Sequence, residues 1–371
     1  MAENLIIGGG VYGAAVAWEL ASRGAGCRLL ESKRIASGAS GGPGRRGVRA
    51  NDRDPREIPL MRQARALWPS LHETLGVPPL FERTGHLLLI ERAEDLAEAE
   101  ARVAMQNNMG ISSRLLSVEQ LHELEPQVGQ QVRAAIHCPD DGVADHTATT
   151  RAYAAAAEKA GAIIEEGVEA VRLVTKGARA VAAETADGSQ YPVTDRLFIL
   201  ANSGVRSLVA PQLDLPVWSL AFQVLLSAPL GDMPIRHLVG HAHRTLSLKA
   251  EAGNRLMISG GRLGQWDEER GTGAIIDSEV AANVADAVAV YPGLQSLEVE
   301  LADAGHLEAL SPDGVPIIDR LPGLENAFFA TGWCGHGWAI APAVAKLLAD
   351  WALEGERPAA LAPFACGRFS A

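Results

Sequence analysis

Gly8, Gly10 and Gly13 sit between an apolar run at 5–7 and an alanine-rich stretch reaching residue 21, and Glu31 closes the apolar run that follows. Each glycine has a job in a strand–turn–helix unit: the first permits the tight turn, the second lets backbone approach a pyrophosphate, and the third lets the helix pack closely on the strand. Val11 and Tyr12 belong to the glycine stretch, and the helix that follows, Ala14 to Ala21, turns its free N–H groups and positive dipole end to the phosphates. A carboxylate about 20 residues further on can bind ribose hydroxyls, and Glu31 stands there, followed by Ser32 and Lys33. These residues predict a dinucleotide site; a glycine turn in an ordinary α/β unit is the plainer alternative. The loop at 32–44, with Ser37, Gly38, Ser40 and Gly41, is too rich in glycine and serine for a regular element, and its amides can wrap a phosphate. Arg45, Arg46 and Arg49 follow with few local partners. No pair of residues makes a convincing catalytic dyad, and no set is put forward as a metal site.

The elements that must position these groups can be read from periodicity. After the first strand, helix and second strand, 56–76 shows helical spacing through Leu60, Ala64, Leu67 and Leu71. A buried strand at 84–90, a helix at 93–107, a capping box at Ser117–Gln120 and a strand at 134–139 come next. A helix at 147–161 leads to strands at 162–164, 168–174, 178–183 and 196–201. From 216 the pattern turns to β, with strands at 218–226, 245–250 and 255–259, then a helix at 275–291. Strands at 302–310 and 327–331 precede a final helix at 342–354, with Pro342 in its first turn. The expected fold is α/β: a discontinuous Rossmann-like domain at 1–80, 140–215 and 302–371. A mainly antiparallel β-sheet domain, itself α+β, is inserted at 81–139 and 216–301.

The 371 residues have room for two such cores, and 47% hydrophobic with 21% charged residues is ordinary for a globular protein. A formal charge of −12 argues against nucleic acid or an anionic membrane as partner. Four scattered cysteines form no CxxC pair and point to a reducing compartment. No stretch has the length to span a bilayer, and Glu19 with the glycine turn opposes reading the start as a signal peptide, so a cytoplasmic protein is expected.

Three ordered segments together resemble the D-amino-acid-oxidase-like family of FAD enzymes, which includes glycine oxidase and sarcosine oxidase. They are the glycine turn with Glu31 and the 37–41 loop; 161–171 followed by Leu200-Ala201-Asn202-Ser203-Gly204; and 311–319 leading to Ala330-Thr331-Gly332-Trp333-Cys334-Gly335-His336-Gly337-Trp338. The resemblance implies extended FAD, with its pyrophosphate on Gly8, Gly10 and Gly13, its ribose on Glu31 and its adenine against Val168. The 37–41 loop, Ala201, Gly204 and Gly332 would meet the rest of the cofactor. The stretch Gly335, His336, Gly337, Trp338, Ala339 and Ile340 would lie beside the flavin pyrimidine, where the start of the last helix stabilises negative charge on reduced flavin. Family chemistry takes a hydride from the carbon beside an amine and gives an imine that water hydrolyses. His336 is a candidate proton carrier, with a structural loop histidine as the alternative.

Residues for substrate follow from the same resemblance. Arg46 and Arg49 match a flavin-facing and a carboxylate-binding arginine, a role their forked guanidinium suits. Two expected cations are missing: Glu308 stands where glycine-oxidase-like enzymes carry an arginine, and Ala339 where sarcosine-oxidase-like ones carry a lysine. An acid beside the pocket favours a cationic group on the substrate; the alternative is that Glu308 points outward or pairs with an arginine. Leu256 or Met257 replaces a lysine over the flavin, which leans toward a dehydrogenase. His306 falls where some relatives link flavin covalently through cysteine, with a packed histidine as the simpler reading. Trp338 would join Arg49 and Glu308 in lining the pocket. The expected protein is an FAD-dependent amine or amino-acid oxidoreductase using oxygen or a redox partner. Alternatives are a flavin-bearing subunit needing a partner protein, an NAD-dependent dehydrogenase and a binding flavoprotein. Homo- and hetero-oligomers both remain open.

Overall fold

The computed structural model describes residues 4–42 and 44–369, so Pro43 of the glycine-rich loop lies outside it. A six-stranded sheet runs in the order Ile317–Arg320, Ala327–Thr331, Leu197–Ile199, Asn4–Ile7, Cys27–Glu31 and Ile163–Glu166. All neighbours are parallel except the first pair. Its central strands are buried on both faces, which is why they read as continuous apolar runs rather than alternating ones. Helices Val11–Ala21, His146–Lys159 and Gly337–Glu354 pack on one face around Ile6, Leu29, Phe198 and Phe328. The other face carries Leu5, Ile7 and Ile199 against the antiparallel layer of Ala170–Lys176, Arg179–Thr185 and Gln190–Pro192.

An eight-stranded sheet forms the second body: Val299–Asp303, Val224–Ser227, Arg255–Ser259, Ser247–Glu251, Leu238–His241, His86–Ile90, Ala134–Cys138 and Arg114–Leu116. All its pairs are antiparallel except Leu238–His241 with His86–Ile90. One face holds Leu87, Val239, Leu248, Leu256 and Ile258 in a core with helix Asp277–Val290. The other face, carrying His86, Lys249 and Met257, turns toward strand Arg45–Val48.

The structure corrects three expectations and adds two strand pairs. The strand expected at 218–226 is two: Trp218–Ala221 pairs with Leu307–Leu310, whereas Val224–Ser227 pairs in the large sheet. The strand expected at 302–310 breaks in step, at Ala304-Gly305-His306. Both segments cross between sheets together, a change of pairing partner that local periodicity does not record. The final helix starts at Gly337 and not at 342, leaving Pro342 inside it. Strands Arg45–Val48 and Gly142–Asp145 pair with each other and were hidden in turn-rich sequence. The hairpin Gln265–Asp267 and Thr272–Ala274 was also not read; it packs so tightly on the crossing that a Cβ on Gly273 would lie 1.9 Å from the Ala304 carbonyl.

Asn326 joins the antiparallel layer to the six-stranded sheet. Its buried amide accepts from Ala180 N at 2.9 Å and donates to the carbonyls of Ala180 and Asp195 at 3.0 Å each. Removing it leaves a buried N–H without a partner, at a cost of about 1–3 kcal/mol. Asn326→Ala is expected to lower the melting temperature by a few degrees in a thermal-shift measurement, with the fold retained.

Candidate functional site

A cleft of about 540 Å³ runs along the carboxyl ends of the parallel strands. Its walls come from the first glycine turn, the 37–40 stretch, Val168, the 200–204 turn, the 305–308 crossing and the start of the last helix. Gly8 takes φ +107°, and a Cβ there would lie 2.7 Å from the Leu200 carbonyl oxygen. A Cβ on Gly13 would lie 1.8 Å from the Gly8 carbonyl oxygen, so only glycine lets the helix start against the turn. A Cβ on Gly10 would meet nothing within 4 Å, because that position opens into the cleft. Gly13 therefore shapes the turn from behind and does not line the cleft.

Two helix starts converge here, Val11 and Tyr12 from the first and Gly337 and Trp338 from the last. Tyr12 locks them together: its hydroxyl donates to the Gly337 carbonyl at 2.5 Å, and its ring stacks on Trp333 with centroids 3.7 Å apart. Glu31 lines the cleft while accepting from Gly9 N at 2.6 Å and Lys33 N at 2.8 Å, so it caps the turn as well. Ser32, Lys33, Ser37, Gly38, Ser40, Val168, Ala201, Gly204 and Gly335 also line the cleft, and the Val168 N–H donates to the Glu31 carbonyl.

Glu308 departs most from expectation. Its carboxylate is buried, and it neither points outward nor meets an arginine. It accepts from Ser40 Oγ at 2.7 Å, Gly335 N at 2.7 Å and Asn202 Nδ2 at 3.3 Å. One side chain thus ties the glycine-rich loop, the 202–204 turn and the loop before the last helix. Burial pushes its carboxyl above the usual range, and the three hydrogen bonds oppose that rise. Glu308 lines the cleft, and these three hydrogen bonds tie its carboxylate into the wall.

Arg46 also lines the cleft. Its guanidinium donates to the carbonyls of Gly41, Gly42 and Arg45 and rests against Met257 Sδ at 3.3 Å; burial lowers its pKa to about 10. Gly41 is held by that bond and does not itself line the cleft. Arg49 does not line the cleft: it donates to the carbonyls of Asn51, and of Asp52 at 3.1 Å, and pairs with the Asp52 carboxylate at 3.9 Å. Asp141 shapes this turn by accepting from Ala50 N at 2.8 Å and Asn51 N at 3.0 Å.

His336 is the N-cap residue of the last helix, and its carbonyl accepts from Arg53 at 2.9 Å. Burial, with Arg49 and Arg53 nearby, holds its imidazole well below the usual range, and the ring makes no cap hydrogen bond to the helix. Gly332 takes φ +70° beneath Ser311, while Ala339 and Ile340 turn into the helical core. None of these four lines the cleft: Gly332 and His336 lie before the helix start, and Ala339 and Ile340 are buried within the helix. His306 is on the cleft wall with its ring partly exposed, 3.3 Å from Asp303, and is not a packed core histidine. Trp266 and Gly271 of the unpredicted hairpin close the mouth.

One further cluster has ligand-type atoms, Glu91 with His241 and His243. His241 Nδ1 accepts from two backbone N–H groups, which puts the ring proton on Nε2, and Arg244 pairs with Glu91 at 2.8 Å. Those commitments oppose a metal ion there.

Residues 4–351 match the family model described as DAO, FAD dependent oxidoreductase. A glycine oxidase of Geobacillus kaustophilus is 25% identical over 372 residues, covering 98% of this chain and 96% of the relative. The sarcosine oxidase subunit beta of Rhodobacter capsulatus is 24% identical over 377 residues, covering 99% and 88%. The crystal structure of the Geobacillus kaustophilus glycine oxidase shares the fold with a TM-score of 0.88 at 23% identity, over 100% of both chains. No helix among the described residues is long and apolar enough to cross a membrane.

The cleft fits FAD on its own chemistry. Beside the open face of Gly10 and the two helix starts, it presents three buried polar atoms without protein partners: Asn202 Oδ1, His146 Nδ1 and Trp338 Nε1. A ligand of hydroxyls and ring nitrogens can satisfy them. Gly13→Ala is expected to yield protein that retains less than a tenth of the wild-type flavin per chain, read from its visible spectrum, because the added methyl displaces the turn.

Proposed function

The chain belongs to the DAO family of FAD dependent oxidoreductases, and on that premise we propose that it oxidises the C–N bond of an amino acid or N-substituted amine bearing a carboxylate. Bound FAD supplies the hydride acceptor for such chemistry. The Gly8–Tyr12 turn would hold the pyrophosphate, Glu31 the ribose and Val168 the adenine. Trp338 and the helix start at Gly337 would lie beside the ring system. Arg46 would keep the 41–42 loop closed on the cofactor, and Arg49 would bind the substrate carboxylate.

The single observation that carries the substrate class is electrostatic. Arg46, Arg49 and Lys249 lie near one another where strand Arg45–Val48 faces the eight-stranded sheet; of the acids near them, Glu251 accepts from Arg45 N at 2.6 Å and Asp52 pairs with Arg49 at 3.9 Å. A cluster of basic groups in a largely buried setting attracts an anionic substrate group. This replaces the expectation of a cationic substrate, which depended on Glu308 being free.

In this reading 1–80, 140–215 and 302–371 form the cofactor domain, and 81–139 and 216–301 the substrate domain; strand Val299–Asp303 straddles the last boundary. A flavin-bearing subunit that needs a partner protein is the second reading, favoured by the similarity to a relative named as a subunit beta.

Anaerobic mixing with a panel of amino acids tests the proposal: carboxylated amines are expected to bleach the flavin band, and bleaching by none of them would contradict it. Loss of a charge-assisted carboxylate contact costs about 1.5–3 kcal/mol, so Arg49→Met is expected to raise KM roughly tenfold or more with flavin content unchanged. The second reading predicts bleaching with little steady-state turnover until a partner is supplied.

A further inference from the structure

Lys249 is a buried cation that the fold leaves without a counter-ion. Only 5% of it is exposed, yet among the described residues no carboxylate lies within ion-pair distance. Its Nζ donates to Ser259 Oγ at 2.8 Å and Ser247 Oγ at 3.2 Å, which fix the amine without neutralising it. Holding an unpaired ammonium out of water costs several kcal/mol in real proteins, so a buried lysine of this kind is poised for an anion that arrives later.

Its surroundings say where that anion comes from. Lys249 lies opposite Met257 on the neighbouring strand, and Met257 touches Arg46, which lines the cleft. The groups facing it are Arg46 and Arg49 from the strand at 45–48 and its exit, His86 from a strand of the same sheet, and Glu251 from its own strand. His86 is held neutral by burial. Glu251 has both oxygens engaged, one by Arg45 N and one by Ala252 N at 2.9 Å. Arg46 is committed to the carbonyls of the glycine-rich loop. If Arg49 takes the substrate carboxylate, Lys249 remains as a separate cation.

We propose that Lys249 binds a second acidic group, making the preferred substrate an amino acid or N-substituted amino acid with two carboxylates. This rests on the proposed amine oxidation at the same site. Burial first, then Arg46 and Arg49, lower the lysine to about 7 from its ordinary value near 10.5. The sign follows: at pH 8 the lysine is mostly neutral amine, and an arriving carboxylate raises its basicity, so anion binding takes up a proton. By the same linkage, the folded state loses stability as pH falls from about 10 to about 7 and levels off below that.

Calorimetry on the FAD-loaded protein at pH 8, in two buffers of different ionisation enthalpy, tests this with acetate and succinate. Wild type is expected to bind succinate at least about tenfold more tightly than acetate, with uptake of up to one proton. Lys249→Met is expected to lose the preference and the uptake; Lys249→Arg is expected to keep the preference and lose the uptake. A succinate preference and proton uptake that survive in K249M would overturn the assignment, as would no preference in wild type. Failure here with bleaching by monocarboxylic amino acids removes only the role of Lys249. Failure of every amino acid to bleach the flavin removes the reading beneath it.

Discussion

A single buried carboxylate holds the cofactor cradle in shape. The glycine-rich loop, the 202–204 turn and the loop before the last helix are irregular backbone, with little regular hydrogen bonding of their own. Glu308 supplies an acceptor to each, at Ser40, Asn202 and Gly335. A charged acceptor in a low-dielectric site makes each of those bonds stronger than a neutral one would be. The strand carrying it, Leu307–Leu310, is placed by the sheet crossing at 304–306, so the cradle and the second body are built around the same break. Tyr12 adds a lock between the two helix starts, and Arg46 closes the loop from the opposite side.

Much of this was legible in the sequence. Gly8, Gly10, Gly13 and Glu31 carry enough local steric and electrostatic constraint that their spacing alone located the turn. The parallel strands were readable because burial on both faces leaves uninterrupted apolar runs. What was not legible depends on contacts distant in sequence. Nothing near residue 308 shows that its partners are residues 40, 202 and 335, so a departure from the family pattern was read as a message about substrate. Lys249 escaped attention for the same reason. Its strand looked like ordinary β, and only the pairing with Met257 and the approach of Arg46 reveal a buried cation. The crossings at 222–223 and 304–306 also left no mark, since a change of pairing partner is itself a contact distant in sequence.

The electrostatics of the two sides then differ in kind. On the cradle side the charge is an acid held by three hydrogen bonds, which shapes the backbone. On the side facing the eight-stranded sheet the groups are basic, Arg46 and Lys249, both lowered in pKa by burial. In the proposed reading those basic groups lie on the side where the substrate carboxylate would enter.

The measurement closest to the central claim is a titration of apoprotein with FAD, followed by flavin fluorescence, for wild type and Glu308→Ala. The cradle account predicts that the variant folds, shown by an unchanged far-UV spectrum, and binds FAD at least about tenfold more weakly, as expected when hydrogen bonds to a buried charge are lost. Equal affinity for FAD in the folded variant would contradict it, and would return Glu308 to the substrate side of the site.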